Sequence, residues 1–203
     1  MALTSLIVQL HSSDYATRNA ASEGLIALGE EAVPALIEVS RSPKYVARLR
    51  AIEALGEIGS RWAFWPLVDL QLLEEDYDLL SVRIKALTAI CERLAENPTT
   101  EDLPWLVTIF KEFRFDVYHR SVAIAAAQGF LRLAQTDPGP SLLPVLPLFR
   151  GNLIRVVPEE CTKIQKQLRV LLAPWKDLPI PAQSLPDTRN LPLPVQDTRG
   201  SNG

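Results

Sequence analysis

Apolar residues return at helical spacing through most of this 203-residue chain, in pairs such as Leu25 and Leu28, Leu55 and Ile58, Leu87 and Ile90, and Phe130 and Leu133. A period of three to four residues predicts amphipathic helices rather than strands. Ahead of each pair stands one recurring frame. Arg18, Arg48, Arg83 and Arg120 are each followed three residues on by Ala21, Ala51, Ala86 and Ala123, and six on by Gly24, Ala54, Ala89 and Ala126. Positions i, i+3 and i+6 or i+7 share one stripe of a helix, and small residues there let a neighbouring helix come close. Four copies of the frame predict one structural unit repeated along the chain.

A shorter helix is predicted ahead of the arginine helix in the later units. Pro34, Pro66, Pro104 and Pro144 each stand two residues before an apolar residue, namely Leu36, Val68, Leu106 and Leu146. Proline is tolerated in a first helical turn, where its missing N–H would have had no partner. The arginines fall 30, 35 and 37 residues apart, the length of a helix pair. The pattern predicts pairs over 2–29, 31–59, 61–97, 99–135 and 139–174. The last has no ladder arginine and reads as a capping pair, since a terminal repeat turns one face to water.

The predicted fold is therefore all-α, a right-handed α-α superhelix, a helical solenoid of about five helix pairs over residues 1–175. Residues 176–203 carry five prolines and Asp-Thr-Arg twice, at Asp187 to Arg189 and Asp197 to Arg199. That composition cannot propagate a helix, so a flexible, proline-rich tail is expected. A sharper alternative makes it a docking strip that presents Leu191, Leu193 and Val195.

Composition narrows the function classes. A chain that is 47% hydrophobic with nine glycines can bury one elongated core. Its net charge of −3 argues against a nucleic-acid partner, which needs clustered positive charge. Apolar runs such as Val122 to Ala127 are far too short to cross a bilayer, and Met1 to Leu10 lacks a basic leader and a small-residue cleavage site. A cytoplasmic protein without membrane insertion is the expectation. Cys91, Cys161 and two histidines are too few and too scattered for a zinc site or a disulfide framework, so two plain thiols and no metal are expected. No nucleophile–base pair or phosphate loop stands out as a stand-alone catalytic motif.

Two stretches carry a family resemblance. Leu28-Gly29-Glu30-Glu31-Ala32-Val33-Pro34-Ala35-Leu36 and the run from Ala47 to Gly59 resemble the short bacterial form of the HEAT repeat, with its arginine-alanine and Leu-Gly elements. Tyr45-Val46-Ala47-Arg48 and Asp76-Tyr77-Asp78-Leu79-Leu80-Ser81-Val82-Arg83 are similar to consecutive repeats of the E/F-type phycobilin lyases, in which an aromatic or Asp-rich turn leads into Ser-Val-Arg. The second likeness covers roughly residues 14 to 95. It implies a lyase subunit or bilin chaperone that helps attach a linear tetrapyrrole to an antenna protein. The bilin would be held transiently, and no cofactor would be bound permanently. The implied partners are a second HEAT-repeat subunit and a phycobiliprotein. The alternative is a non-enzymatic protein-binding and assembly scaffold. Isomerising members of the family carry a His-Cys pair, whereas here His119 precedes Arg120 and neither cysteine adjoins a histidine.

If a bilin is the cargo, its propionates need arginine or lysine, its ring N–H groups an acid, and its rings aromatic walls. That chemistry selects Tyr45, Arg48, Arg50, Asp78, Arg83, Tyr118, His119 and Arg120 as ligand-binding candidates. Trp62, Trp65, Phe113 and Phe115 are the candidates for a partner interface, because aromatic residues are favoured anchors. The competing expectation makes the arginines structural, pairing with acids near the preceding turn. Asp14, Asp78 and Asp116 stand four, five and four residues before theirs.

Overall fold

In a computed structural model of the protein, residues 3–70, 76–151, 156–178 and 188–191 are described. Among them are nine α-helices and no strand, the all-helical, paired architecture of an α-α solenoid. The chain falls into two compact units, one of Met1–Ala86 with Asn190–Gly203 and one of Leu87–Arg189.

The first unit opens with α1 (Leu3–Leu10) and α2 (Tyr15–Leu28), which pack as a pair. Asp14 caps α2 by accepting the Thr17 N–H at 2.7 Å, so an otherwise unpartnered amide of the first turn is satisfied. Gly29, at φ 58° and ψ −129°, ends that helix in a conformation open to glycine alone. Next come α3 (Val33–Val39), with Pro34 in its first turn, and α4 (Tyr45–Ile58), which packs on both α3 and α2. Gly59 closes α4 in the left-handed region, at φ 70° and ψ 24°. The short α5 (Phe64–Val68) and the start of α6 (Tyr77–Glu96) complete the unit.

The alanine column does what its spacing predicts. Ala21, Ala51, Ala86 and Ala123 are all buried. Backbones come close at Gly56, where an added Cβ would lie 2.8 Å from the Cα of Ala86. Around this seam Leu25, Leu36, Ile52, Leu55, Phe64 and Leu67 are fully buried. Each contributes roughly 1.5–3 kcal/mol through removal of apolar surface from water.

The second unit takes up α6 at Leu87 and continues with α7 (Leu103–Phe113), α8 (Arg120–Thr136) and α9 (Glu159–Leu171). Thr99 and Asp102 form a reciprocal capping box ahead of α7. Phe110, Phe130 and Phe149 cluster in the core, with ring centroids 4.7 to 6.2 Å apart. Cys91 and Cys161 are free and buried, and burial pushes the Cys161 thiol up to about 12. Both are therefore unreactive at neutral pH.

The fifth pair departs from expectation. Its first member, Pro140–Phe149, is a 3₁₀ segment instead of an α-helix, with Pro144 and Pro147 inside it. A proline at these positions removes the i→i−4 donor and pushes its ring against the preceding turn, so the α-helical ladder cannot form. The tighter segment still packs against α7, α8 and α9. Past Leu178, Thr188 is buried and Arg189 reaches Glu112 of α7 at 3.1 Å. Leu191 is exposed, while Leu193, Val195 and the second Asp-Thr-Arg lie outside the described residues.

Candidate functional site

The ladder arginines sit at the entry of each second helix, and their guanidinium groups are occupied. In the first unit Arg18 donates to the carbonyls of Ser12 at 2.9 Å and Ser13 at 2.7 Å. Arg48 reaches across to Asp76 at 3.5 Å, and Arg83 donates to the carbonyl of Leu70 at 3.2 Å. In the second unit Arg120 binds Glu160 at 2.6 Å. These bonds join a helix entry to the turn before it or to the next repeat, a structural role.

The expected acids are differently employed. Asp14 caps α2, and the Thr17 hydroxyl, followed by the Thr17 amide, holds its carboxyl below the ordinary range. Asp116 accepts from the amides of Tyr118 and His119 and meets His119 Nδ1 at 2.9 Å. Asp78 and Asp76 lie near enough to Tyr45 to act on its phenol electrostatically. Partial desolvation, then the Asp78 and Asp76 carboxylates, raise that phenol above its usual range, so it stays protonated.

The ligand-binding candidates divide between the units. Tyr45, Arg48, Arg50, Asp78 and Arg83 belong to the first, and Tyr118, His119 and Arg120 to the second. Within the first unit two groups form. Tyr45, Arg48, Asp76 and Asp78 meet where α4 faces α6. Arg50 bonds Glu53 at 3.0 Å and lies over the Tyr15 ring, 5.6 Å from its centroid, where α2 faces α4.

Two of the four interface candidates belong to the core instead. Trp65 packs edge-on against Phe64 and is buried, and Phe113 is buried with its ring 5.0 Å from His119. Their aromatic area is spent on folding. Trp62 and Phe115 are half-buried; Phe115 borders a cleft of about 380 Å³ in the second unit, with Arg120 and Glu159.

Beside the candidates Tyr45 and Tyr118 stand two further tyrosines, Tyr15 and Tyr77, that the sequence did not single out. The chain has four, Tyr15, Tyr45, Tyr77 and Tyr118, and they precede the four ladder arginines by three, three, six and two residues. Tyr15, Tyr45 and Tyr77 open α2, α4 and α6, and Tyr118 lies just before α8. They are 63%, 39%, 78% and 83% exposed. The arginine register carried this signal, because every tyrosine of the chain falls within six residues before a ladder arginine.

Among the described residues there is no cluster of groups able to hold a metal ion, and no helix is long and apolar enough to cross a membrane. A family model described as HEAT repeats matches residues 3–90. That match falls on the stretch that carries the Leu-Gly and arginine-alanine elements. No curated protein matches the chain.

Proposed function

We propose that this HEAT-repeat scaffold works in the cytoplasm by binding another protein, with the tyrosine row of its first unit as the contact surface. One contrast carries the reading: at the helix entries Arg18, Arg48 and Arg83 are engaged within the unit, while Tyr15 and Tyr77 stand largely exposed beside them. Tyrosine offers large, rigid contact area and a hydroxyl at low entropic cost, which suits it to protein interfaces. Arg50 lies over the Tyr15 ring and steadies it before any partner arrives.

A second reading rests on the meeting of Tyr45, Arg48 and Asp78, because an aromatic wall, a guanidinium and a carboxylate are the groups a linear tetrapyrrole requires. In that reading the chain is a phycobilin-lyase-like subunit or bilin chaperone. It would hold the bilin transiently and act with a second HEAT-repeat subunit on a phycobiliprotein.

One set of variants separates the two. Affinity capture with the full chain should retain a defined protein in stoichiometric amount, and Y15S/Y45S/Y77S should weaken that complex by about tenfold or more. Equal retention by the variant would overturn the first reading. Phycocyanobilin added to the same proteins should leave its visible spectrum unchanged. A spectral change that Arg48→Ala and Asp78→Ala abolish would move the assignment to the second.

A further inference from the structure

The second unit contains a cleft of about 360 Å³ that neither reading uses. It opens between the 3₁₀ segment Pro140–Phe149, the C-terminal end of α9 and the turn that follows. Leu143 and Leu172, both buried, and the half-buried Leu146 line its apolar side. Three cations, Arg150, Arg169 and Lys176, also line it, and none of the lining residues is acidic.

This concentration of positive charge occurs in a chain whose net charge is −3. The ion pairs formed among the described residues involve none of the three. Arg169 lies in the last turn of α9, where the negative end of the helix dipole favours a cation. That accounts for one of them. Arg150 follows the 3₁₀ segment and Lys176 follows the short 3₁₀ turn Ala173–Trp175, so the other two arrive from different parts of the backbone.

Cations around an apolar cleft complement a molecule with both characters. A charged head satisfies the guanidinium and ammonium groups, and an apolar body covers the leucines, which water does poorly. The volume lies near the lower end of the roughly 300–1,000 Å³ typical of small-molecule sites, too small for a folded partner to enter. We infer that this cleft binds an amphipathic anion, an apolar chain ending in a carboxylate or phosphate, with Arg150, Arg169 and Lys176 on the head and Leu143, Leu146 and Leu172 on the chain.

Isothermal titration of the full chain tests this with dodecanoate and dodecyl phosphate, each below its micelle-forming concentration. Dodecanol and inorganic phosphate serve as half-ligands, and anionic phospholipid vesicles as a membrane source of the same chemistry. One molecule of either amphiphile should bind per chain, about tenfold or more tighter than either half-ligand. The variant R150Q/R169Q/K176Q changes only exposed groups and should keep its far-UV circular dichroism while losing about tenfold or more in affinity. Dodecanol binding as tightly as dodecanoate would overturn the assignment. So would wild-type affinity in the triple variant, or binding to vesicles with none to the monomeric amphiphiles.

Discussion

At Gly56 the separation of α4 from α6 is set by the absence of a side chain. A Cβ there would meet the Ala86 Cα at 2.8 Å and its Cβ at 2.9 Å, and backbone cannot step aside as a side chain can. Gly24 is the useful contrast, since its added Cβ would meet only the Leu6 side chain, at 3.0 Å and beyond. Gly56→Ala should therefore cost about 1–3 kcal/mol in urea denaturation, whereas Gly24→Ala should fall within about 1 kcal/mol of wild type because the better helix propensity offsets a small repacking. The arginines show how far single residues could be read from the sequence. Their recurrence and buried alanine partners were legible, because both depend on spacing within one helix. Their partners were not: Asp76 and Asp78 are two residues apart in sequence, and the one that meets Arg48 depends on how α6 begins.

Glycine ends two elements of the first unit in different ways. Gly59 takes the common left-handed conformation, which other residues adopt at a cost of about 1 kcal/mol. Gly29, at ψ −129°, lies where a Cβ is much less welcome, although nothing stands within 4 Å of the added atom. Gly29→Ala should consequently destabilise more than Gly59→Ala, by about 1–3 kcal/mol against about 1. Paired thermal melts of the two variants measure this, and equal losses would show that steric contact rather than backbone strain governs these caps. Leu28-Gly29 and Ile58-Gly59 both stand in the stretches that resemble the HEAT repeat. The 3₁₀ segment at Pro140–Phe149 was misread as α-helix because apolar spacing survives in it while the prolines remove the donors that an α-helix needs.

At the scale of the whole molecule, two exposed carboxylates, Asp14 and Glu160, are held below their ordinary range in the folded state. The Thr17 hydroxyl and amide depress Asp14, and the Arg120 hydrogen bond depresses Glu160. A folded-state pKa below the unfolded one gives stability that is present above the unfolded value, about 4, and is lost as pH falls through the folded value. Because both groups are exposed and screened by water, their share is small: D14N/E160Q should lose slightly less melting temperature than wild type as pH falls below about 4. An unchanged acid slope in this variant would place the acid sensitivity in other groups. At this scale the sequence by itself determined the all-helical class, the repeat and the buried alanine stripe, since each follows from a period of three to four residues within a single helix. Only the tertiary structure decided where the chain divides into two units, which acid or carbonyl each arginine reaches, which aromatics sink into the core, and that three cations from separate elements border one cleft. Those outcomes depend on distances between residues far apart in the chain, and local periodicity carries no record of them.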